Sequence, residues 1–191
     1  MKKYFVAAVC ILLSVAAMAK KESPVRLESG SLDVFVNGGT YNMVFDYSNL
    51  SVEGTPIADF LASKDDKFRN DWETLILPES ENFACSVPML ATKQKLTPLQ
   101  AGTPDYTFKV VMGDIYLGNA GQMFNPFSSA TAGGAILNAK MYVVDNATNE
   151  VVCVLLVDEV QGVSAFSDKD RLIVAWNTVG AFLKKYVKKN A

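Results

Sequence analysis

The chain has 191 residues, a formal net charge of −2, a residue content that is 50% hydrophobic, and no histidine. The lack of histidine excludes Ser-His-Asp and Cys-His nucleophilic systems and zinc sites that use imidazole. The mild acidity argues against nucleic acid as a partner, because such a partner requires a basic face. The length suits one domain with a sizeable core.

The first 19 residues have the pattern of a bacterial secretory signal peptide. Two lysines precede an apolar run over residues 4–15, and residues 17–19 (AMA) form a small-x-small cleavage site. We therefore predict cleavage after Ala19 and a periplasmic or secreted protein with a net charge of −4. The apolar run is shorter than the roughly 20 residues of a membrane span. A lipid anchor on Cys10 is the alternative, but Cys10 follows Val9 inside the apolar run and fits a discarded hydrophobic residue.

The remaining chain is predicted to consist of a lead-in and one domain. Residues 20–31 are polar and contain Pro24, which predicts a flexible, non-helical lead-in before a domain over residues 32–191. A short strand is predicted at residues 32–35, followed by a hairpin turn around Asn37-Gly38. Residues 41–47 then alternate as a half-buried strand.

A helical region is predicted to follow. Threonine at an N-cap and proline at the first helical position are typical of a helix start, and Thr55-Pro56 has this pattern. Apolar residues recur near helical spacing as far as residue 75, although the charges at 64–67 could divide the element. Pro78 predicts the end of this helix, and one or two further helical turns are expected before Pro88.

The next strand leads into the longest predicted loop. Residues 106–112 alternate, and Gly113-Asp114 predicts a β-bulge before residues 115–117. Residues 118–134 are rich in Gly, Ser, Ala and Asn, which predicts a loop that is disordered or carries binding. The candidate partner-binding residues in this loop are Met123, Phe124, Asn125 and Phe127. The alternative, which is favoured for isolated loop aromatics, is that these side chains tuck beneath the loop.

The C-terminal segment, residues 136–189, predicts a β-hairpin followed by an amphipathic helix. Residues 137–143 alternate, and the polar turn at 145–150 precedes an all-apolar strand at 151–157 whose two faces we expect to be covered. The predicted helix starts at Asp168. Its apolar stripe consists of Leu172, Trp176, Val179, Leu183 and Tyr186.

These elements predict an α+β fold. We expect a mostly antiparallel, mixed sheet of about five strands with two or three helices packed on it in a single domain.

Carboxylate pairs are the remaining candidates for acid–base chemistry or glycoside hydrolysis. The pairs are Asp65-Asp66, Asp158-Glu159 and Asp168 with Asp170. Each also has a structural explanation: the first fits a solvated helix face, the second an exposed strand end and the third a helix N-terminus. We therefore predict a protein without catalytic residues, metal or cofactor.

Two cysteines would remain after signal cleavage, Cys85 and Cys153. An oxidising envelope would allow a disulfide between them. The apolar strand around Cys153 favours buried free thiols instead. The sequence leaves both states open.

The C-terminal third resembles a group of bacterial envelope proteins. The matching residues are 140–152 (KMYVVDNATNEVV), Gly162 and the helix ending at 186–189 (YVKK), with Asn149 where the group usually has glycine. Residues 45–49 (FDYSN), before the Gly-Thr-Pro helix start, are similar to uncharacterised secreted proteins of Bacteroides-like bacteria. The group includes the curli secretion lipoprotein CsgG, the penicillin-binding-protein activator LpoB and the TolB amino-terminal domain. The resemblance implies an α/β-sandwich periplasmic module that binds envelope components and contributes no catalytic residues.

The predicted function is that of a non-catalytic binding or accessory module in the cell envelope. It would act through protein–protein contacts made by the 118–134 loop and an exposed sheet edge. The partner would be an unidentified envelope protein, and the chain could also associate with copies of itself. A glycan- or small-molecule-binding protein with the same loop as a lid is the alternative, followed by a carboxylate-based hydrolase.

Overall fold

The computed structural model describes residues 22–99, 101–121 and 132–191. In chain order the elements are β1 (Val25–Gly30), α1 (Asp33–Asn37), β2 (Gly39–Asp46), β3 (Ser51–Val52), β4 (Thr55–Pro56), α2 (Ile57–Ala62), α3 (Asp66–Asp71), a π-helical turn (Trp72–Ile76), α4 (Leu77–Ala84), α5 (Val87–Ala91), β5 (Leu96–Pro98), β6 (Tyr106–Tyr116), β7 (Ile136–Asp145), β8 (Glu150–Gln161) and α6 (Asp168–Asn190). A mixed sheet with helices packed on it confirms the predicted α+β class, although the described chain has six helices and a π-helical turn rather than two or three helices.

The eight described strands form one mixed sheet. Its order is β1-β8-β7-β6-β2-β5, with β3 paired to β6 and to β4. The β1–β8, β7–β8 and β6–β7 pairs are antiparallel, whereas β2 runs parallel to both β5 and β6. The sheet has more strands than the five predicted. Three of the additional strands, β3 to β5, have only two or three residues, which is too short to produce a periodic pattern.

The β7–β8 hairpin has the predicted position and turn. Alternate β7 residues from Leu137 to Val143 are buried. In the turn, the Asp145 carboxylate accepts a hydrogen bond from the Ala147 amide at 2.8 Å, and Asn149 has a φ of 57°. Asparagine tolerates this left-handed conformation better than most residues, so it can stand where a glycine would otherwise be required.

The prediction that both faces of residues 151–157 are covered was wrong. Val151 is 53% exposed and Leu156 is only half-buried, whereas Cys153, Leu155 and Val157 are buried. The buried residues face the helices, and their neighbours face the opposite side of the sheet. An all-apolar run therefore indicated a strand here without indicating a covering layer on both sides.

Helix α6 packs its apolar stripe on the inner face of the sheet. Leu172, Trp176, Val179 and Leu183 are each no more than 2% exposed, which confirms the predicted stripe as far as Leu183, whereas Tyr186 is only half-buried. The Trp176 ring meets the Phe45 ring of β2 edge-on, with 6.3 Å between their centroids. Edge-to-face pairs of this kind stabilise the fold by more than the burial of the two rings alone.

The helix start has a side-chain cap. The Ser167 hydroxyl accepts a hydrogen bond from the Asp170 amide at 3.1 Å, and Asp168 and Asp170 lie in the first turn. The two carboxylates lie at the positive end of the helix dipole, where negative charge stabilises the helix.

The central helices run further than predicted. Helix α2 begins at Ile57, one residue later than expected, with no side-chain cap. Pro78 does not end the helical region, because it lies at the start of α4 directly after the π-helical turn. Proline lacks an amide donor and clashes with the carbonyl four residues earlier, and the wider turn before it accommodates both constraints. The further helical turns predicted before Pro88 correspond to the end of α4, and Pro88 itself lies in the first turn of α5, which extends to Ala91.

The first 20 residues of the described chain differ from the prediction. Residues 32–35, expected as a strand, belong largely to α1, whose Val34 and Phe35 are buried. The expected hairpin at residues 36–40 is absent, because β2 pairs in parallel with β6 and β5 rather than with a preceding strand. Gly38 has a φ of 80°, and a Cβ there would lie 2.4 Å from the Lys95 carbonyl oxygen. This close approach, rather than a hairpin, accounts for the glycine.

Part of the predicted flexible lead-in is ordered. Residues 25–30 of the 20–31 segment form β1, which lies at one edge of the sheet and pairs with β8. Val25 is buried, and the Asp158 amide donates to the Pro24 carbonyl at 2.8 Å. The register shift between Leu27 and Ser29 interrupts the alternation that would have marked a strand in the sequence.

The packing of α6 predicts a large cost for truncating its stripe. Leu183→Ala should lower the free energy of unfolding by about 2–5 kcal/mol, because it leaves a cavity between helix and sheet. Asn177→Ala, on the exposed side of the same helix, should change it by no more than about 0.5 kcal/mol. Urea denaturation of both variants measures the difference. Equal effects of the two substitutions would contradict this packing.

Candidate functional site

The side of the sheet opposite α6 carries rows of partly exposed side chains, two of which we call the open face. The described helices pack on the other side. One row crosses four strands as Val44, Lys109, Tyr142 and Val154. The second row crosses five strands as Asp46, Val111, Lys140, Leu156 and Arg26.

The apolar residues of the open face are incompletely covered. Val44 is 43% exposed, and Val111, Tyr142 and Leu156 are half-buried. Val154, in the middle of the sheet, is almost fully buried between its neighbours. A shallow groove over the second row is lined by Val111, Gly113, Lys140 and Leu156, among others. Half-covered aliphatic and tyrosine side chains of this kind are common where proteins contact one another.

Ion pairs lie between and beside the apolar residues. Lys109 Nζ lies 2.8 Å from Asp46 Oδ2, and Lys140 Nζ lies 2.9 Å from Glu28 Oε1. At the β1 edge, Arg26 contacts both Asp158, at 2.9 Å, and Glu22, at 3.0 Å. The two lysine–carboxylate pairs are therefore locally balanced, which reduces the desolvation cost if a partner covers them, whereas Arg26 is shared by two carboxylates.

These contacts shift the pKa values of their groups. The hydrogen bond from Lys109, together with hydrogen bonds from Ser48, holds the pKa of Asp46 well below its ordinary value of 3.8. The same hydrogen bond to Asp46 raises the pKa of Lys109, and the contact with Glu28 raises that of Lys140. All three groups are charged at neutral pH. The open face therefore presents fixed charges among aliphatic side chains.

A second feature is the anchoring of the loop region near residues 118–134 by a buried arginine. Arg171 is 5% exposed, and its guanidinium donates to the carbonyls of Leu117, at 2.6 Å, Ala165, at 3.0 Å, and Phe166, at 3.1 Å. It also pairs with Asp168. One buried cation thus fixes the end of β6, the segment before α6 and the first turn of α6.

The described ends of this loop region are closely packed. The Ser164 hydroxyl donates to the Ala132 carbonyl, and the Asn119 amide donates to the Gly133 carbonyl at 2.9 Å. A Cβ on Gly134 would lie 2.1 Å from the Gly162 carbonyl oxygen, so the close approach of the two backbones at this point requires glycine. The candidate binding residues Met123, Phe124, Asn125 and Phe127 lie outside the described residues.

The candidate carboxylates do not converge in the described structure. Asp65 caps α3, and Asp66 pairs with Arg69. Asp158 pairs with Arg26 at the sheet edge, and Asp168 pairs with Arg171 at the start of α6. Among the described residues, no group of three or more acidic or cysteine side chains is arranged to hold a metal ion.

Cys85 and Cys153 are both free thiols. Burial raises the pKa of Cys153 to about 12 and also raises that of Cys85. Both thiols are therefore protonated and weakly nucleophilic at neutral pH.

Comparisons with known proteins give a limited result. No protein-family model matches the sequence, and no curated protein matches it. A solved structure of the PelC dodecamer from Paraburkholderia phytofirmans matches 84% of this chain and 96% of its own, with 12% identity and a TM-score of 0.42. A second PelC dodecamer structure from that organism, of a point variant, matches 84% and 95% with 11% identity and a TM-score of 0.39. Neither match is to the group that includes CsgG, LpoB and TolB, so that resemblance stays a prediction.

The buried arginine predicts a large stability loss on its removal. Arg171→Met should lower the free energy of unfolding by roughly 3 kcal/mol, because it leaves three carbonyls without their donor. Arg69→Met is the control, since Arg69 forms a mostly exposed ion pair and should cost no more than about 1 kcal/mol. Chemical denaturation measures both. A loss for Arg171→Met as small as that of the control would contradict the anchoring role.

The Asp46–Lys109 pair predicts a component of acid sensitivity. The pKa of Asp46 is lower in the folded chain, so its stabilising contribution is present above about pH 4 and is lost as pH falls further. Asp46→Asn should therefore reduce stability at pH 7 and flatten its dependence on pH below about 4. Denaturation curves across this range measure the effect. In a Lys109→Gln background the substitution should have much less effect, and an unchanged effect there would contradict the pairing.

Proposed function

We propose that this protein is a non-catalytic binding or accessory module of the bacterial cell envelope and acts through protein–protein contacts. The open face is the proposed contact surface. The observation that carries the proposal is that a wide sheet is covered by described helices on one side only. Its other side presents Val44, Val111, Tyr142 and Leu156 among locally paired charges.

The arrangement favours a protein partner with an apolar patch of its own. Covering the exposed parts of these aliphatic side chains releases free energy in proportion to their area. The ion pairs at 2.8 Å and 2.9 Å are already formed, so few charged groups would be left unpaired in the complex. A tyrosine at the centre adds a large, rigid contact with a hydroxyl at its tip.

The proposal includes export. The pattern of residues 1–19 supports a signal peptide cleaved after Ala19, and among the described residues no helix is long and apolar enough to cross a membrane. The partner is then an envelope protein or a second copy of the chain. Identification of the N-terminal residue of the protein recovered from the periplasm tests the cleavage site.

Photo-crosslinking in the producing cell tests the contact surface. A photoreactive residue at Val44, on the open face, should give one discrete protein adduct. The same residue at Thr74, which is exposed in the π-helical turn on the other side, should give none. The mass of the adduct distinguishes an envelope partner from a second copy.

A matched pair of substitutions links the adduct to the open face. Leu156→Lys should reduce the Val44 adduct about tenfold or more, because an unpaired lysine would be buried in the contact. Glu73→Lys, at an exposed position away from the open face, should leave the adduct unchanged. Equal adducts from Val44 and Thr74, or no effect of Leu156→Lys, would contradict the proposal.

A further inference from the structure

We propose that the C-terminal end of α6 and the start of β1 form a docking surface for an anionic membrane. This surface is distinct from the open face and goes beyond the proposed protein contact. We call it the basic groove; it has a volume of about 550 Å³ and separates the last turns of α6 from residues 22–24. Its lining residues are Glu22, Ser23, Pro24, Phe182, Lys185, Tyr186, Lys189 and Asn190.

Charge is strongly segregated at this end of an acidic chain. The residues after Asp170 include no aspartate or glutamate, whereas four of the last eight residues are lysine. These lysines are all exposed, and among the described residues none of them forms an ion pair. They are Lys184, Lys185, Lys188 and Lys189.

The lysines occupy one arc of the helix. At about 100° per residue, all four fall within an arc of roughly 140°, next to Phe182 and Tyr186. The two aromatic residues are half-buried and separate the lysines from the buried stripe that ends at Leu183. Because the apolar stripe is packed on the sheet, the lysines and the exposed parts of the two aromatic side chains are what this side of α6 offers to a membrane.

Helix-dipole stabilisation explains only part of this pattern. Cations in the last turn of a helix are favourable, which accounts for Lys188 and Lys189. It does not account for Lys184 and Lys185 one turn earlier, nor for an aromatic row beside an open groove. A negatively charged, partly apolar surface complements both features.

The described lining of the groove contains little negative charge to oppose the lysines. Glu22 is the one carboxylate among the described lining residues, and Arg26 pairs with it at 3.0 Å. The positive charge of this end comes from Lys184, Lys185, Lys188 and Lys189. A cluster of four to eight lysines and arginines is the usual size of a segment that binds acidic lipid headgroups.

Co-sedimentation with lipid vesicles tests the proposal. The probe is phosphatidylcholine vesicles with and without phosphatidylglycerol, and the protein is the chain as recovered from the producing cells. Binding should require phosphatidylglycerol and should weaken as salt is added, since exposed charges are screened.

A matched pair of variants assigns the binding to the groove. Lys185→Gln with Lys189→Gln should weaken binding roughly 25-fold, at about fivefold for each lysine. Lys67→Gln with Lys93→Gln makes the same change in net charge at exposed positions outside the groove, and should stay within about twofold. Both pairs are exposed, so thermal melts should show that the variants fold.

Three results would overturn the proposal. The first is binding to phosphatidylcholine alone that is indifferent to the lysines, which would reflect the apolar residues 4–15 if they are retained. The second is an equal loss in both variant pairs, which would reflect net charge. The third is lysine-dependent binding to polyglutamate without binding to the vesicles, which would assign the groove to an acidic protein.

Discussion

The structure depends on one packing interaction, between the apolar stripe of α6 and the inner face of the sheet. Leu172, Trp176 and Leu183 are buried there against residues from β2, β7 and β8. The stripe is long enough to cover strands that lie far apart in sequence, and it therefore joins the C-terminal hairpin to the N-terminal half of the chain. Helices α4 and α5 pack beside α6, the π-helical turn touches it as well, and together they complete the same layer.

The one-sided cover determines which surfaces remain for function. Because the described helices pack on the inner face, the strands' other side chains form the open face with its paired charges. The exposed side of α6 carries the unpaired lysines of the basic groove. The two proposed surfaces are therefore on different sides of the molecule, and a partner protein and a membrane could bind at the same time.

Sequence patterns predicted the elements whose neighbours lie nearby in the chain. The β7–β8 hairpin, the α6 stripe and the β6 bulge were predicted because alternation, helical spacing and a Gly-Asp pair mark them locally. The bulge appears as a register shift between Met112 and Ile115.

The elements that depend on distant partners were missed. Strand β1 forms because β8 provides an edge for it, and β2 lies parallel to β6 across about 60 residues of chain. Neither pairing leaves a local signal. Arg171 was not identified because an arginine in an amphipathic helix usually faces solvent, whereas here three carbonyls and Asp168 satisfy its guanidinium.

The open face could have been inferred only in part. The alternation of Lys140 and Tyr142 with buried residues indicated a polar or mixed side of β7. The all-apolar β8 suggested instead that both sides were covered. Deciding between these indications requires knowing how many layers the fold has, and that is a property of the whole chain.

Amide hydrogen exchange of α6 and β8 tests the central packing most directly. If the stripe holds helix and sheet together, amides near Trp176 and those near Leu155 should exchange with the same free energy, equal to that of global unfolding. Exchange of the α6 amides at a much lower free energy than those of β8 would show that the helix opens independently, and would contradict the account.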